Sequence, residues 1–202
     1  MYLFVSILSP VAVYKLYPIV DDLLLRYPSY KISKRQPYIV KNLIKACMLL
    51  MLTLYALVFV FPYDWDNPMI KVIASMYVAN DLVALLLCKL PMSTTVHHVV
   101  SCMFLVFAQY IDFKTNKEAQ LLFYYTFFSA CTFFVNLYLG LRLIQKAPTL
   151  LKICKYGYPL ILVLNWSVQI WIGLDGIAFW YIILLLFIIN DDIVLTRWLW
   201  SQ

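Results

Sequence analysis

Charge is what this chain has least of. Only 13% of its 202 residues are Asp, Glu, Lys or Arg, against roughly a quarter in an average soluble domain. A polypeptide so poor in charge cannot cover itself with polar surface, which excludes a soluble globular protein. Histidine is scarcer still, with two in the whole sequence, and that excludes the histidine-rich membrane di-iron hydroxylases and desaturases. Four glycines are few for a channel or a gated transporter that breaks its helices. No internal repeat is apparent, which argues the same way. The five cysteines (Cys47, Cys88, Cys102, Cys131 and Cys154) form no C-x-x-C pair, so neither a disulfide framework nor a zinc site is implied. The last apolar segment carries no lysine, which disfavours a retinal Schiff base. The first thirteen residues lack the basic n-region and small-residue cleavage site of a signal peptide, so we expect a retained first span, weakened by Pro10 and Lys15.

What is present is apolar sequence: 64% of residues are hydrophobic. A membrane-spanning helix needs about 20 predominantly apolar residues, and seven stretches qualify: 2–20, 41–62, 69–90, 94–112, 119–143, 153–173 and 177–197. The expected fold is therefore an all-α membrane protein of about seven transmembrane helices. The division is a first span with a basic loop (1–38), then the main transmembrane domain (39–202). Pro28, Pro37, Pro62, Pro68, Pro91 and Pro148 are expected in the connections. Twelve basic residues (Arg26, Lys31, Lys34, Arg35, Lys41, Lys45, Lys89, Arg142, Lys146, Lys152, Lys155 and Arg197) fall on one side, and three (Lys71, Lys114 and Lys117) on the other. The positive-inside rule places the larger group in the cytosol, with the N-terminus lumenal and the C-terminus cytosolic. The net charge of +6 thus reflects loops beside anionic headgroups. The basic residues are dispersed without a binding motif, so nucleic acid is not expected as a partner; membrane lipids are. Trp65, Trp198 and Trp200 are expected at interfaces. The aromatic run Tyr124-Tyr125-Thr126-Phe127-Phe128 is bulky packing on one reading and the wall of an acyl-chain cavity on the other.

Polar groups inside apolar stretches narrow the search. His97 and His98 open the fourth stretch, and Asp81 lies within the third. Ionisable residues at membrane depth are costly and mark functional sites by default. Residues three and four apart share a helix face. On that spacing His98, Ser101, Cys102 and Gln109 line one side of the fourth stretch, and Ser129, Thr132, Asn136 and Gly140 one side of the fifth. Tyr158, Asn165 and Gln169 do so on the sixth, while Tyr77 and Asp81 stand on the third and Asn190 near the end of the seventh. Singly, such groups serve as interhelical hydrogen-bond glue worth about 0.6 kcal/mol each. On several helices at once, beside an aspartate and a histidine pair, they imply one polar-lined cavity. Adjacent imidazoles diverge by about 100° on a helix and do not readily chelate one metal ion, so no metal is expected. Acid–base chemistry, nucleophilic chemistry or headgroup binding remains.

The pattern Tyr77-x-x-x-Asp81, then Lys89 and the His97-His98 pair at the start of the next span, resembles the TLC-domain family. That family includes ceramide synthases, translocating-chain-associating membrane proteins and smaller TLC-domain-containing proteins. The smaller members, which it resembles most, carry a segment like E-x-S-T-P-F-x-N-L-R one span later. Here Ser129 to Tyr138 keeps Thr132, Phe134, Asn136 and Leu137, with Ser129, Cys131, Phe133 and Tyr138 in place of Glu, Ser, Pro and Arg. The resemblance covers roughly residues 40–197. It implies a six-helix bundle (spans two to seven) around a central cavity, with the first span outside, in the endoplasmic reticulum or another endomembrane.

Two functions follow as expectations. The first is binding or sensing of a lipid or acyl chain without covalent chemistry, through Tyr77, Ser101, Ser129, Thr132, Asn136, Asn165 and Gln169, with no bound cofactor. It is favoured because the H-D-x-x-D-like signature of ceramide synthases is missing, Asp112 and Glu118 being the only acids between His98 and Gly140. The second is acyl transfer of ceramide-synthase type, with acyl-CoA as co-substrate and His97, His98 and Asp81 as catalytic groups. A translocon-associated or cargo-receptor role is a further possibility that the family also contains.

Overall fold

The computed structural model describes residues 2–60, 66–174 and 176–202, with side chains from Ile7 onward. Among the described residues there is no strand. The helices are α1 (Tyr2–Leu24), the single turn α2 (Pro28–Lys31), α3 (Gln36–Tyr55), α4 (Asn67–Leu87) and α5 (Met92–Tyr110). They continue with α6 (Lys117–Cys131), α7 (Phe133–Leu141), α8 (Pro148–Gly173) and α9 (Phe179–Ser201). A π-helical turn (Ala56–Val60) extends α3. Each apolar stretch thus lies on helix, though two differ in detail from expectation. The third helix begins at Gln36 rather than residue 41, and the fifth stretch is two helices.

Proline placement explains several starts. Pro28, Pro37, Pro68 and Pro148 occupy the first or second position of α2, α3, α4 and α8, where the missing N–H has no intrahelical partner to lose. Pro91 is the N-cap of α5. Pro62 and Trp65 lie outside the described residues. The break between α6 and α7 falls at Thr132, whose Oγ1 donates to the Ser129 carbonyl at 2.6 Å. A hydroxyl bonded back to a preceding carbonyl bends a helix, and the two halves meet at 41°.

By length and apolarity, three helical segments among the described residues can cross a membrane: Gln36–Val60, Asn67–Leu87 and Phe179–Ser201, with the bent pair α6–α7 a fourth if it counts as one span. This is fewer than the seven expected. The others carry more polar residues along their length. α1 holds Lys15, Asp21 and Asp22, α5 opens on Ser93, Thr94, Thr95 and two histidines, and α8 holds Lys152, Lys155, Asn165 and Gln169.

Packing contacts run α3–α4–α5–α9–α8–α7 and back to α3, closing a ring, and α6 packs on α8, α3 and α4. α1 lies against α4 and α3 from outside, tied there by Tyr17, whose hydroxyl donates to Asn80 Oδ1 at 3.2 Å. Gly140 allows a close approach of α7 to α3: a Cβ there would lie 2.9 Å from Leu43 Cδ2 and 3.3 Å from the Ile39 carbonyl oxygen. Small residues at such crossings let backbones pack closely where lipid supplies no hydrophobic drive between helices.

One end of the ring is stapled by Asn67. Its Nδ2 donates to Asp112 Oδ1 at 2.6 Å, and its Oδ1 accepts from the Phe113 amide at 2.7 Å. Asp112 stands past the end of α5. The Asn67 bond, with a second from the Lys114 amide, holds its carboxyl below the usual carboxylate range. The opposite end is open, and the histidines lie there.

Candidate functional site

Inside the ring, at the end where α4 stops and α5 begins, is a cavity of about 980 Å³. That is at the upper limit of ordinary small-molecule sites, roughly 300–1,000 Å³. Its walls draw on α3, α4, α5, α6, α7, α8 and α9. Polar and charged groups share the lining with Leu49, Phe128, Val135, Leu139, Ile161 and Leu162, which supply apolar wall.

Asp81 is the most enclosed of its charges, at 1% exposure. Lys45, reaching across from α3, donates to Asp81 Oδ2 at 2.9 Å and to the Tyr77 carbonyl at 2.7 Å. Its ammonium lies 4.1 Å from the centre of the Tyr77 ring. On the other side, His98 Nδ1 stands 3.5 Å from Asp81 Oδ1, an ion-pair approach rather than a formed hydrogen bond. Both ring nitrogens of His98 are buried without a hydrogen-bond partner among the described residues. Such groups are rare in folded proteins and each asks for an explanation.

His97 faces differently. Its ring meets that of His98 edge-on, with centroids 5.6 Å apart. Its Nδ1 lies 3.6 Å from Asp191 Oδ2 on α9. Thr94 donates to the other Asp191 oxygen at 3.2 Å. Next to it, Asp192 accepts hydrogen bonds from Tyr125 at 2.9 Å and Tyr158 at 2.8 Å, one on each oxygen. Across the cavity, the Tyr77 hydroxyl and Ser129 Oγ share a 2.5 Å hydrogen bond. Tyr77 and Tyr125 also line a separate apolar pocket of about 40 Å³ deeper in the bundle, so they stand as a floor between the two spaces.

Of the residues expected here, Tyr77, Asp81, His97, His98, Ser129, Thr132, Asn136 and Asn165 all line the cavity. Two do not. Ser101 faces the small deep pocket, because one turn along α5 from the histidines the helix has passed below the floor. Gln169 is consumed in packing: it donates to the Leu121 carbonyl at 2.9 Å and accepts from Tyr181 at 3.0 Å. Cys102 and Gln109, on the same predicted stripe, also stand outside the walls, and Asn190 is exposed.

The larger correction concerns charge. Lys41 and Lys45, counted with the cytosolic-side charges at the start of the second stretch, are inside α3, each 5% exposed, and line the cavity. Their spacing of four on an apolar helix was the available signal. Asp191 and Asp192 had a plainer one, two carboxylates inside an isoleucine-rich run. Among the described residues no group of three or more His, Cys, Asp or Glu is placed to hold a metal ion.

The arrangement thus offers two imidazole–carboxylate pairs, a lysine–aspartate pair and a tyrosine-clamped carboxylate around one space. Chemically it can bind an amphiphile, and it can move a proton at His98. Comparison with known proteins returns no match: no family model, no curated protein and no solved structure corresponds to this chain.

Proposed function

We propose that this is a TLC-like protein of seven spans, of lipid metabolism or homeostasis, which holds a lipid or acyl chain in its intramembrane cavity. The observation that carries the reading is the cavity itself. A space of about 980 Å³, part apolar wall and part buried polar cluster, matches a molecule with an apolar tail and a polar head. Its opening lies at the end bearing Lys34, Arg35, Lys89 and Arg142, which positive-inside bias assigns to the cytosol. On this reading the N-terminus is lumenal, and the TLC-like pattern supports residence in the endoplasmic reticulum or another endomembrane.

A second reading, acyl transfer, is favoured by one specific feature. His98 keeps both nitrogens without partners while standing 3.5 Å from Asp81, and catalytic hydrogen bonds often form only around substrate. In that reaction the nitrogen of an amine-bearing lipid attacks the carbonyl carbon of an acyl thioester such as acyl-CoA. The C–N bond forms, the C–S bond breaks, and His98 passes the amine proton to the departing thiolate. Asp81 orients the ring and stabilises its charged form.

Native mass spectrometry with lipid analysis tests both. The purified wild-type protein should retain a lipid non-covalently, and the His97→Ala/His98→Ala variant should lose or exchange it. A covalent acyl increment present in the wild type and absent from the variant would establish the second reading. Protein free of lipid in both forms overturns the first.

A further inference from the structure

Every carboxylate lining the cavity is already engaged: Asp81 by Lys45 and His98, Asp191 by Thr94 and His97, Asp192 by two tyrosine hydroxyls. The cations outnumber them. Lys34, Arg35, Lys41, Lys45, Lys89 and Arg142 all line the cavity, against three carboxylates. Of these six, only Lys45 has a carboxylate within ion-pairing distance among the described residues.

Lys41 is the decisive one. It is 5% exposed, and among the described residues its ammonium makes one side-chain hydrogen bond, of 3.4 Å to Asn42 Oδ1. Exposed lysines need no partner, because water solvates them. A buried ammonium facing a cavity in a membrane-spanning helix is held at a cost unless an anion meets it. Arg142 repeats the pattern at the rim. Its guanidinium lies 4.4 Å from the centre of the Trp198 ring, and its Nε is buried without a hydrogen-bond partner. That ring contact leaves N–H donors for an acceptor, and the guanidinium fork suits phosphate.

We infer that the cavity is built for an amphiphile whose head is a phosphate, seated on Lys41 and reached from the rim by Arg142 and Lys89. This rests on the lipid-binding reading and adds the chemical class of the head. Two sources share that chemistry, a membrane phospholipid and a soluble acyl carrier bearing phosphates.

The test compares ligands with matched chains on the full-length protein in detergent, read by native mass spectrometry. Dipalmitoyl phosphatidic acid is set against dipalmitoylglycerol, and palmitoyl-CoA against methyl palmitate. At least one phosphate-bearing ligand should be retained roughly tenfold or more over its neutral counterpart, as expected for a desolvated charge pair. Lys41→Gln should erase that preference, Lys41→Arg should keep it, and Lys146→Gln, which removes a charge outside the cavity, should leave it unchanged. Preference for phosphatidic acid assigns a membrane source; preference for palmitoyl-CoA assigns a soluble one. Equal retention of charged and neutral members in the wild type overturns the phosphate head while leaving the cavity reading intact. That comparison stands even if Lys41→Gln fails to fold. Failure to retain any of the four overturns both.

Discussion

Replacing Lys45 with methionine probes the electrostatic centre of the fold. Met keeps most of the aliphatic stem, so packing loss is small. What goes is the ammonium, with its charge-assisted bonds to Asp81 at 2.9 Å and to the Tyr77 carbonyl at 2.7 Å. Asp81, at 1% exposure, then has His98 at 3.5 Å as its one cation candidate within ion-pairing distance among the described residues. Removing one partner of a buried ion pair costs about 3–5 kcal/mol, and because His98 can take part of the load we expect the lower end, about 3 kcal/mol. The double variant Lys45→Met/Asp81→Leu leaves no orphaned charge and should return to within about 1 kcal/mol of wild type. The assay is reversible unfolding by SDS in mixed micelles, followed by tryptophan fluorescence. The physical competitor is water: a cavity of about 980 Å³ has room for it. If the single variant costs under about 1 kcal/mol and the effects of the two substitutions simply add, the pair is solvated and the account of a dry, mutually dependent pair is refuted.

Two structural predictions follow from the rest of the bundle. At the α3–α7 crossing, Gly140→Leu must displace Leu43 and press on the Ile39 carbonyl, which a Cβ alone would meet at 2.9 Å and 3.3 Å. It should destabilise by about 1–3 kcal/mol in the same SDS titration and shrink lipid occupancy, whereas an unchanged titration would mean that the crossing is loose. At the stapled end, the Asp112 carboxyl is depressed by its bond from Asn67. Its contribution is therefore fully present above the unfolded carboxylate pKa of about 3.9 and is lost as pH falls through the lower folded value. Carboxyl-detected NMR should find Asp112 titrating below that reference and Asn67→Ala restoring it; an ordinary value in the wild type sinks the staple.

The sequence was most legible where the physics is one-dimensional. A run of apolar residues is a statement about hydropathy alone, and among the described residues each of the seven stretches lies largely on helix, although three or four helical segments are long and apolar enough to cross a membrane. The histidine pair and Asp81 were found by an equally local rule, that ionisable groups do not sit in apolar segments without cause. Lys41 and Lys45 escaped the same rule because the helix was expected to start at residue 41. With Gln36 as its first residue, Lys41 is more than a turn inside, and a count of basic residues cannot tell a loop lysine from one in a wall. Ser101 and Gln169 failed for another reason. Periodicity says which residues share a face, but the partner that a face meets is set by helix tilt and by the floor of Tyr77 and Tyr125, which no single helix encodes. The bend at Thr132 was hidden because the break lies in one back-bonded hydroxyl inside an otherwise continuous apolar run.

The hardest inference from sequence was negative: acids missing from the span after the histidines argued for binding over catalysis. That inference assumed that a function must be served from the same helix. Here carboxylates reach the cavity from α9, Asp191 meeting His97 and Asp192 bridging α6 and α8 through Tyr125 and Tyr158. Their presence does not make them interchangeable with a free base. Asp192 has both oxygens occupied by hydroxyls, and Asp191 is shared between Thr94 and His97. Among the described residues His98 has both ring nitrogens buried without a hydrogen bond, facing a carboxylate already paired with Lys45. A group so placed can accept a proton from a bound ligand or donate one to it, and its surroundings suit either role. Binding and acyl transfer therefore divide at one side chain, on whether the ligand that enters brings His98 a hydrogen-bond partner that stays or a proton that leaves.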